Sequence, residues 1–167
     1  DRPLLAKATF PERKTLYEET GGNPLLLRWI AGQLGEGRCR TVASALNFIR
    51  KAPVDNDPLE FIFGDLLETF TESETKSLAA LTYFTGPMEM NLIAKLGGLT
   101  RAAAQTALLD LTNRALIVAD GEEKKFALVR MVADFLRKTR PEVVAETGNR
   151  LEKRAYALIV ENGYQKH

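Results

Sequence analysis

Histidine and cysteine are almost missing from this 167-residue chain: it has one of each, Cys39 and His167. A single cysteine rules out an internal disulfide framework and fits a reducing compartment, so a cytoplasmic setting is expected. With the lone histidine at the extreme C-terminus, a Cys/His zinc site or a histidine-based triad is not expected either. Apolar runs stay well short of the roughly 20 residues of a membrane span, so no membrane partner is expected. Charge of one sign is also lacking. Lys and Arg number 23 against 22 Asp and Glu, a net charge of +1 that exerts no overall pull toward nucleic acid or an anionic membrane. Nowhere does the sequence read G-x-x-x-x-G-K-[ST], so no loop cradles nucleotide phosphates or presents Lys and Mg²⁺. Asp1 is not an initiator Met and no signal-peptide pattern follows, which suggests a piece of something longer.

What is present is helical pattern: 45% hydrophobic and 27% charged residues, enough for one or two modest cores. Pro11–Thr20 reads as a short charged helix. Thr20-Gly21-Gly22-Asn23-Pro24 is a glycine turn into a second helix, with Asn23 as N-cap and Pro24 at the first position, where its missing N–H costs nothing. Leu27, Ile30, Ala31 and Leu34 recur at helical spacing until Gly35. Trp29, on this helix, reads as half-buried packing. A third helix carries Val42, Ala45, Leu46 and Ile49 on one face, and Ala52–Asp57 reads as a linker.

Beyond it, Asp57, Pro58 and Glu60 open a helix whose stripe is Leu59, Ile62, Phe63, Leu66, Leu67 and Phe70. Thr71-Glu72-Ser73-Glu74 is a capping box for the next, so Glu60 and Glu74 are explained without catalysis. A short helix around Asn91–Leu96 ends at Gly97-Gly98, and Thr100 caps another with Ala104, Ala107, Leu108 and Leu111 inside. Leu116–Val118 and Phe126–Leu128 read as two strands joined through the Asp120-Gly121 turn, and a helix follows from about Arg130 to Lys138. Residues 141–162 give a last helix with Val144, Leu151, Ala155, Leu158 and Ile159 as a partial stripe, interrupted at Gly148. Helices, a hairpin and a helix, in this order, predict a mainly α chain: a small helical bundle, then a winged helix-turn-helix domain with a short β-hairpin wing. The expected divisions are 1–54 for the helical part, 55–140 for the winged helix, and 141–167 for the start of a helical linker or repeat region.

A winged helix invites a DNA-binding reading. Arg101, Gln105 and Thr106 stand near the start of the presumed recognition helix, where base contacts would be made. The same helix carries Asp110, and the wing from Asp120 to Lys125 has three acids against two lysines. A wing that grips phosphates needs cations. Packing against other domains is therefore preferred to DNA, with a DNA-binding transcription regulator as the alternative function. The doublets Lys124-Lys125 and Arg137-Lys138 read as solvated surface.

Two stretches carry a family resemblance. Gly22-Asn23-Pro24 resembles the Gly-x-Pro segment in the small helical domain of the STAND (signal-transduction ATPases with numerous domains) and NB-ARC nucleotide switches. Phe126-Ala127-Leu128-Val129-Arg130-Met131-Val132-Ala133-Asp134-Phe135-Leu136 is similar to the end of their winged-helix domain. The resemblance covers about residues 8–140 and implies the regulatory portion of such an NTPase, not itself an enzyme. That portion folds over a separate nucleotide-binding domain of the same parent chain, which binds ADP or ATP with Mg²⁺ and cooperates with further signalling domains. Pro24 falls where the family's proline covers adenine and ribose. Val129 falls on the family's histidine, which touches the β-phosphate of ADP, and Arg130 on the aspartate that follows it. Val129 cannot donate a hydrogen bond, so the usual ADP lock is not expected here. From its residue type, Val129 reads as a core residue at a strand end.

Overall fold

The computed structural model describes residues 7–33, 41–51, 58–121 and 124–163. The expected helix stop at Gly35, the Ala52–Asp57 linker with its division at 54/55, Cys39 and His167 lie outside them, as does the Glu60 side chain. The chain forms two compact units, 1–70 with 113–115 and 71–112 with 116–167.

The first unit contains α1 (Phe10–Glu19), α2 (Pro24–Gln33), α3 (Val42–Arg50) and α4 (Pro58–Glu68). Helix α1 begins one residue earlier than the sequence suggested because Thr9 closes a capping box with Glu12. The Thr9 backbone N–H donates to Glu12 Oε2 at 2.7 Å and the Glu12 N–H returns to Thr9 Oγ1 at 3.5 Å. The backbone bond from Thr9, and then its hydroxyl, hold the Glu12 carboxyl below its ordinary range. A lowered carboxylate stabilises the fold above its unfolded pKa, and that help is lost as pH falls through the folded value. The far end of α1 is a Schellman turn: Gly22 N–H donates to Tyr17 O at 2.9 Å and Gly21 N–H to Glu18 O at 3.2 Å.

Trp29 is the centre of this unit. It is fully buried, not half-buried as the sequence suggested, because its indole N–H reaches the Ala115 carbonyl at 3.3 Å and leaves no polar atom unsatisfied. Its ring meets Phe63 at 5.9 Å between centroids, and Phe63 meets Phe70 edge-on at 6.4 Å. Arg114 lies 5.4 Å over the Phe70 ring. Ile62, Phe63, Leu66 and Leu67 are buried as the α4 stripe requires, and Phe70 is half-buried.

The second unit runs α5 (Glu72–Leu81), β1 (Met88–Glu89), α6 (Met90–Gly97), α7 (Arg101–Asn113), β2 (Ile117–Asp120), β3 (Lys125–Leu128), α8 (Arg130–Thr139) and α9 (Pro141–Gly163). The three strands are ordered β1-β3-β2 and antiparallel, with Met88 opposite Phe126 and Ile117 opposite Leu128. Helix, strand, two helices and a hairpin whose return strand lies in the middle is the winged-helix arrangement. β1 has no counterpart in the sequence reading, because two residues show no alternation. The Thr71 box on α5 forms as expected, and its Glu74 is buried. Gly98, at φ +63, ends α6 in another Schellman turn, with Leu99 N–H donating to Ala94 O at 2.8 Å.

Two expectations for the last helix are corrected. Gly148 does not interrupt α9, which runs unbroken from Pro141 to Gly163. The glycine makes room for Tyr83: a Cβ there would collide with the tyrosine hydroxyl, which donates to Val144 O at 2.6 Å. The stripe is also shorter than expected. Val144 is buried and Leu151 half-buried, but Ala155, Leu158 and Ile159 are exposed.

The Trp29 geometry generates a stability test. Trp29→Phe should keep ring packing but strand the Ala115 carbonyl, at about 1–3 kcal/mol. Trp29→Ala should cost about 3–5 kcal/mol. Urea denaturation followed by circular dichroism measures both; equal stability of all three chains would show that the ring is not the centre of this core.

Candidate functional site

Three places carry the residues singled out from the sequence, one in the first unit and two in the second.

In the first unit the site is a corner built from backbone. Gly21 and Gly22 have φ of +58 and +71, conformations costly for any residue with a Cβ. The chain reverses within these two residues, and Asn23 restarts it. The Asn23 side-chain oxygen accepts from Leu25 N at 3.0 Å and Leu26 N at 3.2 Å, the N-cap that its position predicts. Pro24 follows as the first residue of α2 and is exposed. An exposed proline ring on a rigid corner offers an apolar contact and no hydrogen bond.

In the second unit Val129 and Arg130 form the junction between β3 and α8. Val129 is half-buried, not a core residue, and it serves as the N-cap of α8 at φ −65, ψ 122 with no side-chain capping bond. Its backbone is tied on both sides: its N–H donates to Leu116 O at 3.2 Å and its carbonyl accepts from Val132 N at 2.9 Å. Strand geometry up to Leu128 suits a β-branched residue, but a valine leaves the first turn of α8 without the oxygen that a Ser or Asp would bring. Arg130 is exposed, with no partner among the described residues.

Beside this junction lies an open groove of about 530 Å³ whose lining includes Phe84, Thr85, Leu128, Arg130, Asp134 and Arg137. Arg137 is not simply solvated surface, as its doublet suggested. Its Nη2 donates to the Thr82 carbonyl at 2.5 Å, and Nη1 stands 3.5 Å from Asp134 Oδ1. The missed signal was the spacing of Asp134 and Arg137, which puts them on one helix face. The groove thus holds one pinned cation, one exposed cation and one carboxylate. Among the described residues no group of three or more His, Cys, Asp or Glu could hold a metal ion.

The helix-turn-helix face is the third place. Arg101, Gln105, Thr106 and Asp110 are all exposed on α7, as a recognition helix would require. Leu109 is exposed beside them at 60%, and Val118 on β2 at 62%. Of the wing, Asp120, Gly121 and Lys124 are exposed, and residues 122–123 lie outside the described part. Exposed leucine and valine with mixed charge suit contact with protein better than contact with phosphates. No described helix is long and apolar enough to cross a membrane.

No protein-family model matches the chain, and no curated protein matches it. Among solved structures it is similar to a STAND protein with a tetratricopeptide repeat sensor from Pyrococcus horikoshii. The superposition has a TM-score of 0.57 at 23% sequence identity and covers 92% of this chain. The likeness is one of fold, and the chain spans 21% of the length of that protein.

The charge pattern of α7 and the wing sets the expected affinity for DNA. Duplex DNA should bind weakly and without sequence preference, with a dissociation constant of about 10⁻⁴ M or weaker at physiological salt. A mobility-shift titration measures it, and submicromolar, sequence-dependent binding would turn the reading toward a transcription regulator.

Proposed function

We propose that this chain is the lid and winged-helix portion of a STAND-type nucleotide switch, packing over a separate nucleotide-binding domain of the same parent chain and controlling its ADP/ATP state. One observation supports the reading: the chain's fold is similar to that of a STAND ATPase over 92% of this chain, and along the chain the Gly-x-Pro corner precedes the β3–α8 junction, the order that the resemblance implies.

In this proposal the first unit supplies Pro24. An exposed proline ring fits the edge of an adenine or ribose, where an apolar surface excludes water and makes no demand for hydrogen bonds. The second unit supplies the junction. Val129 does not fit the phosphate contact that the family makes there, since it has no donor. Arg130, exposed and without a described partner, brings a cation to the next position instead. Bound nucleotide supplies the free-energy difference between two arrangements of the parent protein. It shifts their balance only as far as it binds one better than the other. The chain's own contribution is the set of contacts made in one arrangement and broken in the other.

Two expected outcomes test the proposal. Because no phosphate loop is present, residues 1–167 alone should show no ATP or GTP hydrolysis above background. Turnover that tracks the protein through a sizing column would overturn the regulatory reading. In the parent protein, Val129→His should slow ADP release. A charge-assisted hydrogen bond to phosphate is worth about 1.5–3 kcal/mol, or roughly 10- to 100-fold in off-rate. Val129 is half-buried, so an imidazole there need not bury its polar edge, and the melting temperature should hold. An unchanged ADP off-rate in a folded variant would show that this junction does not face the nucleotide.

A further inference from the structure

Helix α1 has one buried apolar anchor, Leu16, and its neighbour Tyr17 is 63% exposed. An exposed tyrosine on so charged a helix adds little to a core. Its ring is nonetheless not loose. It lies against Gly22, where an added Cβ would meet Tyr17 Cε2 at 2.7 Å, Cζ at 2.8 Å and the hydroxyl oxygen at 3.0 Å. The Tyr17 carbonyl meanwhile accepts the Gly22 N–H at 2.9 Å. Tyr17 therefore holds Gly22 twice, once by backbone and once by ring. In a Schellman turn an apolar contact commonly joins these two positions. Here one partner has no side chain, so the ring packs on bare backbone. Gly22 is in the left-handed region at φ +71, Asn23 caps the next helix, and Pro24 begins it.

We infer that Tyr17 is a positioning residue for Pro24. Its ring, laid on the Gly22 backbone, holds the two-glycine corner in the one geometry that presents the proline. Glycine at two successive positions gives this corner more freedom than any other among the described residues of the unit, and the ring removes it. The inference rests on the nucleotide-lid reading above, since Pro24 has a task to be positioned for only if it meets the nucleotide.

The test is a double-mutant cycle in the full-length parent protein, read as the release rate of a fluorescent ADP analogue. Pro24→Ala should speed release. Tyr17→Leu should speed it by a similar factor, about 3- to 10-fold, the size expected of one lost contact. Tyr17→Phe, which keeps the ring, should restore the wild-type rate. The Tyr17→Leu/Pro24→Ala double variant should release no faster than Pro24→Ala alone, because a positioning residue has nothing left to position. Melting temperatures should stay within a few degrees of one another. If Pro24→Ala speeds release and Tyr17→Leu does not, or if the two effects multiply in the double variant, the inference is wrong and the lid reading stands. If Pro24→Ala leaves release unchanged in a folded protein, the lid reading fails and the inference with it.

Discussion

A residue in the left-handed region is a common way to end a helix abruptly, and three such endings shape this molecule. Short helices leave four unpaired carbonyls at each C-terminus, and a left-handed residue turns the next N–H groups back onto them. Gly21 and Gly22 do this after α1, Gly98 after α6, and Ala115 after α7. Ala115 is the costly one. At φ +58 its methyl group is strained by about 1–2 kcal/mol relative to glycine in the same place. What offsets that strain is visible in its contacts. Its carbonyl accepts the Trp29 indole, and the Leu116 N–H after it closes on Leu111 O at 3.0 Å. The strained corner and the largest buried side chain of the first unit therefore stabilise each other.

The same constraint explains what could be read in the sequence. Caps are chemical signals at fixed spacing, so the boxes at Thr71, the Thr100 cap and the Asn23-Pro24 start were legible, as were the stripes behind them. The Thr9–Glu12 box was present but masked by Phe10-Pro11, which reads as a helix start in itself. The winged-helix order followed from the helices and the hairpin, although β1 did not. Burial was harder to read. Trp29 owes its full burial to a carbonyl 86 residues away in the chain, and no local pattern encodes such a partner. Gly148 looked like a break because helices disfavour glycine, yet its cost of about 1 kcal/mol is offset by the Tyr83 bond across to Val144. The candidate site divides the same way. Its backbone corner was legible, while the pinning of Arg137 on the Thr82 carbonyl was not.

Charge decides between two uses of the winged-helix face. A recognition helix that reads DNA must do so against phosphates on both sides, and each phosphate contact wants a Lys or Arg. On α7 and the described wing, Arg101 and Lys124 are exposed alongside Asp110 and Asp120, so attraction and repulsion roughly cancel. Leu109 and Val118 are then informative. Apolar side chains that are solvated in one state and covered in another contribute to a docking equilibrium without needing charge, at about 25 cal/mol per Å² of surface covered.

The nucleotide switch proposed for this chain needs contacts that are individually modest. If a lid held its nucleotide through many strong bonds, no stimulus of ordinary affinity could move it, since shifting a balance from 1:99 to 99:1 already takes about 5.5 kcal/mol. The residues at the two candidate contacts fit that requirement. Pro24 offers packing alone, and Val129 lacks the donor that would add a phosphate bond. Arg130 is solvated, so its attraction for an anion is screened and salt-dependent. Weak single contacts place the weight on geometry. In the proposed switch the sum of small terms is realised only while the corner at Gly21-Gly22 and the junction at Val129 hold their shape. Two freely turning glycines at one place and a helix start with no side-chain cap at the other make that shape depend on neighbours, Tyr17 in one unit and Leu116 in the other.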